Sequence, residues 1–150
     1  MMKIVIIMGS QSDKPWAEKI KQELDRWQLP AVLHVSSAHK IPEQTLTLVQ
    51  KYNLEQHIIY VTIAGRSNAL SGVVSANAIH PVIACPPFKD QGDYLVNIHS
   101  SLQMPSDTPA MTILDPKNVA AACARMLGLV DFSLQQSILQ HIQKIKKDFK

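Results

Sequence analysis

Three short segments of this 150-residue chain combine small polar residues with titratable ones, and each directly follows an apolar run. The segments are GSQSD at 9–13, SSAHK at 36–40 and AGRSNALSG at 64–72. Hydroxyl groups, exposed backbone amides and a helix N-terminus together favour a bound anion, because the amides and the helix dipole present positive charge. We therefore predict that these segments form a site for a phosphorylated small molecule.

The second segment holds the residue best suited to proton transfer. His39 and Lys40 lie in the segment that directly follows the apolar run at 31–35, and an imidazole gives or takes a proton near neutral pH. Lys40 can offset the charge of a phosphate or a carboxylate. A lone surface histidine more often has no function, and that alternative stays open, but the other histidines of the chain have no comparable setting. We interpret His39 as the candidate acid–base group.

The first segment has two interpretations. Asp13 is suited to accept hydrogen bonds from the hydroxyls of a sugar, whereas Ser10 and Ser12 can bind an anion. Alternatively, the segment is a capped turn without a ligand, in which Ser12 or Asp13 caps the following helix. The residues of this segment alone leave both interpretations open.

The third segment is the most informative of the three. Gly65 and Gly72 permit a close approach of the backbone to a ligand, and Ser67 and Asn68 offer side-chain hydrogen bonds. For Arg66 we favour a surface salt bridge over an anion contact. The segment lacks the GK[ST] ending of a P-loop, which argues against nucleoside triphosphate hydrolysis.

The two cysteines, Cys85 and Cys123, have neither the spacing of a metal site nor that of a disulfide framework. Cys85 lies beside two prolines at the end of an apolar run. We expect it to be a buried structural thiol rather than a nucleophile.

The composition indicates an ordinary globular protein, with 46% hydrophobic and 18% charged residues. The net charge of +3 is modest, and the basic residues form no stripe that would suit nucleic acid. The N-terminal apolar run is too short for a signal peptide or a membrane span. We expect a cytoplasmic protein that binds neither nucleic acid nor a membrane.

Apolar runs alternate with helical periodicity along the chain. Runs at 3–8, 31–35, 57–63, 81–84 and 111–114 predict five strands, and helices are expected after each of them, with a last one at about 133–149. Such alternation predicts a parallel sheet with right-handed crossovers. We predict a single α/β domain over 1–150, a flavodoxin-like three-layer sandwich with strand order 2-1-3-4-5 and a C-terminal helix extension. The predicted site then lies beyond the carboxyl ends of the first three strands.

At these segments the chain resembles the PurE family, the aminoimidazole ribonucleotide carboxylases and mutases of purine synthesis. Six motifs occur in register over nearly the whole chain: GSQSD, SAHK, AGRSNALSG, PVIACPP, SSLQMPS and LDPKNVAAACARML. The resemblance implies reversible carboxylation of 5-aminoimidazole ribonucleotide with CO2, without biotin, ATP or a metal.

The resemblance also implies roles for individual residues. His39 is expected to be the general base of the carboxylation and the general acid of its reverse. The further assignments are Ser10, Ser67 and the Gly65 amide on the nascent carboxylate, Asp13 on the ribose hydroxyls, and Ser12, Ser37 and Lys40 on the phosphate. Lys40 and Ser67 also count as catalytic, and Ala38, Ala64 and Asn68 complete the predicted substrate-binding set.

The third segment distinguishes the two classes of the family. The mutase class resembles AGGAAHLPG here, whereas this chain has Ala69 in place of the second histidine and Ser71 in place of the proline. AGRSNALSG resembles the class that uses CO2 directly, and Lys40 in place of an arginine agrees with it. The mutase, which moves a carboxyl group from N5 to C4, is the alternative. Gln103 and Asp107 depart from the usual SSLRMPSG of the carboxylase class, so no substrate contact is predicted there.

Two further expectations concern partners and rival functions. The resemblance implies a homo-octamer, with a homotetramer as the alternative. The apolar stripe of Leu134, Ile138, Ile142 and Ile145 predicts that the last helix packs against a neighbouring subunit. The alternative is that it packs against its own domain.

A flavodoxin-like receiver or flavin-binding module is the more distant alternative to an enzyme. A receiver would need an acidic pair at the end of the first strand, and the sequence has none there.

Overall fold

Five apolar segments form one parallel sheet in the computed structural model, which describes residues 2–149. The strands are β1 (Lys3–Met8), β2 (Ala31–Val35), β3 (Ile58–Ile63), β4 (Val82–Ala84) and β5 (Met111–Thr112). Their order is β2-β1-β3-β4-β5, with every neighbouring pair parallel. This confirms the predicted flavodoxin-like order. It also explains the continuous apolar runs, because central parallel strands are covered on both faces.

Helices cover both faces of the sheet. They are α1 (Lys14–Arg26), α2 (Pro42–Tyr52), α3 (Ala69–Asn77), α4 (Gln91–Leu102), α5 (Pro116–Leu127) and α6 (Phe132–Asp148). Alternate side chains of β1 point to opposite faces: Ile4 and Ile6 pack with α1 and α5, whereas Val5 and Ile7 pack with α2 and α3. Two cores thus hold the strand ends in fixed positions.

Three strands are shorter than predicted: β5 ends at Thr112 and not at 114, and β3 and β4 start one residue late for local reasons. β3 starts at Ile58 because His57 has a φ of 59°, a left-handed conformation that an extended strand does not use. β4 starts after Pro81, which has no N–H to donate to a ladder, although its carbonyl accepts from the Tyr60 amide at 2.9 Å.

The start of α1 differs from the prediction. Neither Ser12 nor Asp13 caps α1 with its side chain. Instead, a single 3-10 turn over Gln11–Asp13 precedes the helix, and the Ser10 hydroxyl caps that turn by accepting from the Ser12 amide at 3.3 Å.

The last helix lies partly on its own domain. Leu134 is buried and Ile138 packs against the core beneath α1 and α5, while the rings of His141 and Trp27 meet edge to face at 5.0 Å. The first part of α6 therefore packs on its own domain, which is the alternative that the sequence analysis gave to a subunit contact. In the second half, Ile145 is 42% exposed. Within residues 2–149, none of the helices combines the length and the hydropathy needed to cross a bilayer.

Candidate active site

The loops after β1, β2 and β3 meet around one cavity of about 530 Å³. It lies where parallel sheets bind ligands, beyond the carboxyl ends of the strands at the point where the strand order reverses. The lining includes Ser10, Ser12, Asp13, Ser37, Ala38, His39, Ala64, Gly65 and Ser67. All the site residues predicted from sequence are therefore brought together except Lys40 and Asn68.

The first loop is a capped turn that also lines the cavity. The Ser10 amide donates to Asp13 Oδ2 at 3.1 Å, and the Ser12 hydroxyl donates to Ser10 Oγ at 3.0 Å. Burial raises the pKa of the Asp13 carboxyl, and the Ser10 amide bond opposes that shift. Asp13 is thus held in one orientation, and its carboxyl keeps its proton to a higher pH than a solvated aspartate does.

The second loop presents His39 to the cavity from a short turn. Ser36 anchors the turn, because its buried hydroxyl lies 2.7 Å from Thr45 Oγ1 of α2 and its amide donates to the Met8 carbonyl at 2.9 Å. The Ser37 carbonyl accepts from the Lys40 amide at 3.2 Å and closes the turn. His39 is exposed and lines the cavity, whereas the exposed Lys40 does not.

The third loop brings backbone groups and one hydroxyl to the cavity through Ala64, Gly65 and Ser67. Asn68 has a different role from the predicted one. Its Oδ1 accepts from the Ser71 amide at 3.1 Å and caps α3, and its Nδ2 donates to Ser101 Oγ at 2.9 Å. Asn68 is 4% exposed, lies outside the cavity lining and uses both polar ends internally, so in this structure it supports the loop, and the predicted ligand contact stays a prediction.

Two side chains agree with the sequence-based interpretation. Arg66 is 81% exposed and lies 3.9 Å from Asp93, as a surface salt bridge requires, but both residues also line the cavity, so the anion contact stays the alternative. Cys85 is fully buried, its sulfur accepts from Trp16 Nε1 at 3.4 Å, and burial raises the pKa of its thiol to about 11. A thiol with that pKa is almost entirely protonated at neutral pH and is a poor nucleophile.

Several lining residues were missed from the sequence. They are Trp16, Lys19, Pro87, Phe88, Lys89, Asp93 and Asn97. The rings of Trp16 and Phe88 meet edge to face, with their centroids 5.2 Å apart, and form an apolar wall. Lys19 Nζ lies 5.1 Å from the centroid of the Trp16 ring. Trp16 and Lys19 could have been predicted, because they lie three residues apart and so share one face of a helix that starts at the first loop.

The departures at Gln103 and Asp107 lie outside the cavity lining. Asp107 has a φ of 62°, which explains why a glycine suits this position in the carboxylase class. Aspartate is one of the few other residues that enter the left-handed region readily, so the loop keeps its shape with Asp107.

Chemically, the cavity joins one titratable imidazole to hydroxyls, backbone groups and a carboxylate. His39 can transfer a proton, and Ser10, Ser67 and Gly65 can donate hydrogen bonds to a charged oxygen. Asp13 can accept hydrogen bonds from hydroxyls. This combination fits a small ligand with a sugar and acidic groups.

Comparisons with known proteins identify what the chain is similar to. The family model described as AIR carboxylase matches residues 3–148. A phosphoribosylaminoimidazole carboxylase of Archaeoglobus fulgidus is 41% identical over 98% of this chain and 81% of its own length. A bifunctional phosphoribosylaminoimidazole carboxylase/phosphoribosylaminoimidazole succinocarboxamide synthetase of Drosophila melanogaster is 44% identical over 86% of this chain but only 30% of its own length. The crystal structure of Treponema denticola PurE superposes with a TM-score of 0.94 at 36% identity, covering 99% of this chain and 94% of that one.

Proposed function

The chain belongs to the AIR carboxylase family, and from that premise we propose that it carboxylates 5-aminoimidazole ribonucleotide reversibly at ring carbon C4 with CO2, in purine biosynthesis. The observation that carries the proposal is the single cavity in which His39, the Ser10 and Asp13 turn and the Gly65–Ser67 loop meet. These are the groups that a proton transfer next to a sugar phosphate and a carboxylate requires.

The reaction divides into a carbon–carbon bond formation and a proton transfer. The aminoimidazole is an enamine, so the amine lone pair drives C4 to attack the carbon of CO2. C4 then carries both its original hydrogen and the new carboxylate. His39 removes the C4 proton, and the electron pair of that C–H bond restores the aromatic ring. In reverse, protonated His39 gives the proton back to C4 and CO2 leaves.

The remaining groups act on charge and position. We assign Ser10, Ser67 and the Gly65 amide to the nascent carboxylate, where fixed donors stabilise charge as it develops. Asp13 is assigned to the ribose hydroxyls. Ser12 and Ser37 are assigned to the phosphate together with Lys40, whose long side chain starts next to His39 but lies outside the cavity lining in this structure.

The proposed reaction needs no biotin, ATP or metal, because the enamine is already nucleophilic enough for CO2. The direct test is an assay of the purified protein with 5-aminoimidazole ribonucleotide, bicarbonate and carbonic anhydrase, with EDTA present and ATP omitted. Formation of the C4-carboxylated ribonucleotide is expected. No product at any bicarbonate concentration would overturn the proposal.

Asp13→Ala is expected to weaken binding of the intact ribonucleotide by about tenfold or more, since hydrogen bonds to a charged acceptor are among the stronger ones. Binding of inorganic phosphate should change much less, because Asp13 faces the sugar in our assignment. Calorimetric titration with each ligand measures both constants. Asp13→Asn is the matched control, because it keeps an oxygen that can accept from the Ser10 amide. Equal losses for both ligands would place Asp13 elsewhere.

We also propose a single domain over the 150 residues, a cytoplasmic location without nucleic-acid or membrane partners, and a homo-octamer, with a tetramer as the alternative. The second half of α6 supports the oligomer, because Ile145 is an apolar residue that is 42% exposed there.

Ile145→Glu is expected to reduce the mass of the assembly measured by light scattering. Gln143→Glu, a change at an exposed position of the same helix, should leave that mass unchanged. An unchanged mass for Ile145→Glu would exclude this part of α6 from the interface.

A further inference from the structure

Asn97 links two loops of the candidate site through a buried side chain. It lies in the middle of α4 and is 5% exposed. Its Oδ1 accepts from the Arg66 amide at 2.7 Å, and its Nδ2 donates to the Pro87 carbonyl at 2.6 Å. The amide therefore ties the loop after β3 to the loop after β4, and both loops line the cavity.

The loop that Asn97 holds is strained at the same peptide. Arg66 has a φ of 60°, in the left-handed region that residues other than glycine seldom adopt. Rotating the Gly65–Arg66 peptide plane by about 180° would return Arg66 to negative φ and relieve the strain. That rotation also removes the Arg66 N–H from Asn97. The Asn97 bond thus favours the strained arrangement over the relaxed one.

Because Gly65 has no side chain, the loop backbone can lie close to the Asn97 side chain. A Cβ at this position would lie 3.1 Å from Asn97 Nδ2, so the loop backbone packs directly on the Asn97 amide. In a trans peptide the N–H and the carbonyl point in opposite directions. Fixing the Arg66 N–H on Asn97 therefore fixes the direction of the Gly65 carbonyl and of the whole peptide dipole.

We propose that Asn97 is a positioning residue for the carboxylation: by holding the Gly65–Arg66 peptide in its strained orientation, it keeps the loop in the conformation that presents the Gly65 amide and the Ser67 hydroxyl to the nascent carboxylate. The inference rests on the proposed function for its chemical meaning. Donors that are fixed before the reaction act on charge as it develops in the transition state, so their effect falls on kcat more than on KM.

Asn97→Ala is expected to lower kcat roughly 10–100-fold with less than about a threefold change in KM. This is less than the ~10²–10³-fold seen when a donor is removed outright, because here the donors are displaced and not lost. The same substitution should cost less than about threefold in an Arg66→Gly background, because glycine populates positive φ without strain. Ser101→Ala is the matched control. Its hydroxyl is buried on the same helix and bonds Asn68 and the Asn97 carbonyl rather than the Gly65–Arg66 peptide, so kcat should stay within about threefold.

A second measurement is independent of activity. Hydrogen exchange at the Arg66 amide should be faster in Asn97→Ala and unchanged in Ser101→Ala. Accelerated exchange with normal kcat would overturn the positioning role, and unchanged exchange would overturn the geometry. An equal loss of kcat from Asn97→Ala with and without Arg66→Gly would also contradict it. Absence of carboxylation by the unmodified enzyme would overturn the proposed function, whereas the exchange result would still decide the Asn97 geometry.

Discussion

His39→Asn is expected to reduce turnover by roughly 10²–10⁴-fold, the usual loss when a general acid–base group is removed. The carbon–carbon bond can still form, but no group remains to take the proton from C4, so the intermediate returns to substrate and CO2. Asparagine keeps a polar side chain of similar shape in the turn, so binding of the ribonucleotide should remain measurable. Steady-state kinetics and a calorimetric titration of the same preparation separate the two effects.

The reverse reaction provides an internal check. Decarboxylation of the C4-carboxylated ribonucleotide needs the same proton delivered to C4, so His39→Asn should slow this direction as well, by the same factor in kcat/KM because the equilibrium constant is fixed. His99→Asn is the matched control, because His99 is exposed and lies outside the cavity lining. Wild-type turnover of His39→Asn in either direction would show that another group transfers the proton.

The sheet was predictable because its central strands are apolar runs that alternate with helical periodicity. β1 and β3 are rich in Val and Ile and fully or almost fully buried, as is typical of central parallel strands. Once the strand order was fixed, the meeting of the first three loops followed from the geometry of parallel sheets. The positions of Ser10, His39 and Ser67 in one cavity were therefore available from sequence.

Contacts from outside these loops were not predictable in the same way. Asn97 reaches Arg66 across 31 positions of the chain, and a buried asparagine in an amphipathic helix has no periodic signal that distinguishes it from a surface one. Phe88 and Lys89 follow a short strand in an irregular stretch, so their direction depends on how α4 packs. The residues that could do chemistry were predictable from local residue types, whereas the residues that hold them in position depend on tertiary packing.

Asn68 has a structural role that the sequence analysis did not predict. Its position among small polar residues suggested a ligand contact, but α3 begins at the next residue and needs a cap. Asn is among the best N-cap residues, and the Ser71 amide is its partner. Small polar residues before a helix are therefore as typical of a cap as of a ligand contact, in this loop as in the first one.

The Asn68 cap also accounts for the serine at position 71 of the third segment. Ser71 donates its amide to Asn68 and its buried hydroxyl lies 2.7 Å from Thr62 Oγ1. A proline at position 71 has no N–H and could not make the capping bond. Ala69 opens α3 without lining the cavity, and His39 is the only histidine that lines it among residues 2–149. The third loop therefore adds no imidazole to that of His39, and a single imidazole suits a single proton transfer.

From this arrangement we expect carboxylation with free CO2 and little or no direct transfer of a carboxyl group from N5 to C4. CO2 is small and uncharged and offers little binding energy, so the site must supply donors that are fixed before it arrives. Ser10, Ser67 and the Gly65 amide meet that demand in our assignment. A mutase must in addition hold the departing carboxyl group and manage a second proton transfer, for which this loop has no further imidazole.

The decisive measurement follows a labelled carboxyl group. The N5-carboxylated isomer decays spontaneously to the amine and CO2, which a carboxylase then uses, so product formation alone does not distinguish the two reactions. The isomer should therefore carry a labelled carboxyl group, with excess unlabelled bicarbonate and carbonic anhydrase present to mix released CO2 with the pool. We expect the label to be diluted almost completely in the C4-carboxylated product. Label retained in the product would demonstrate direct transfer and would replace the carboxylase assignment with the mutase, because only a carboxyl group that never leaves the site escapes dilution.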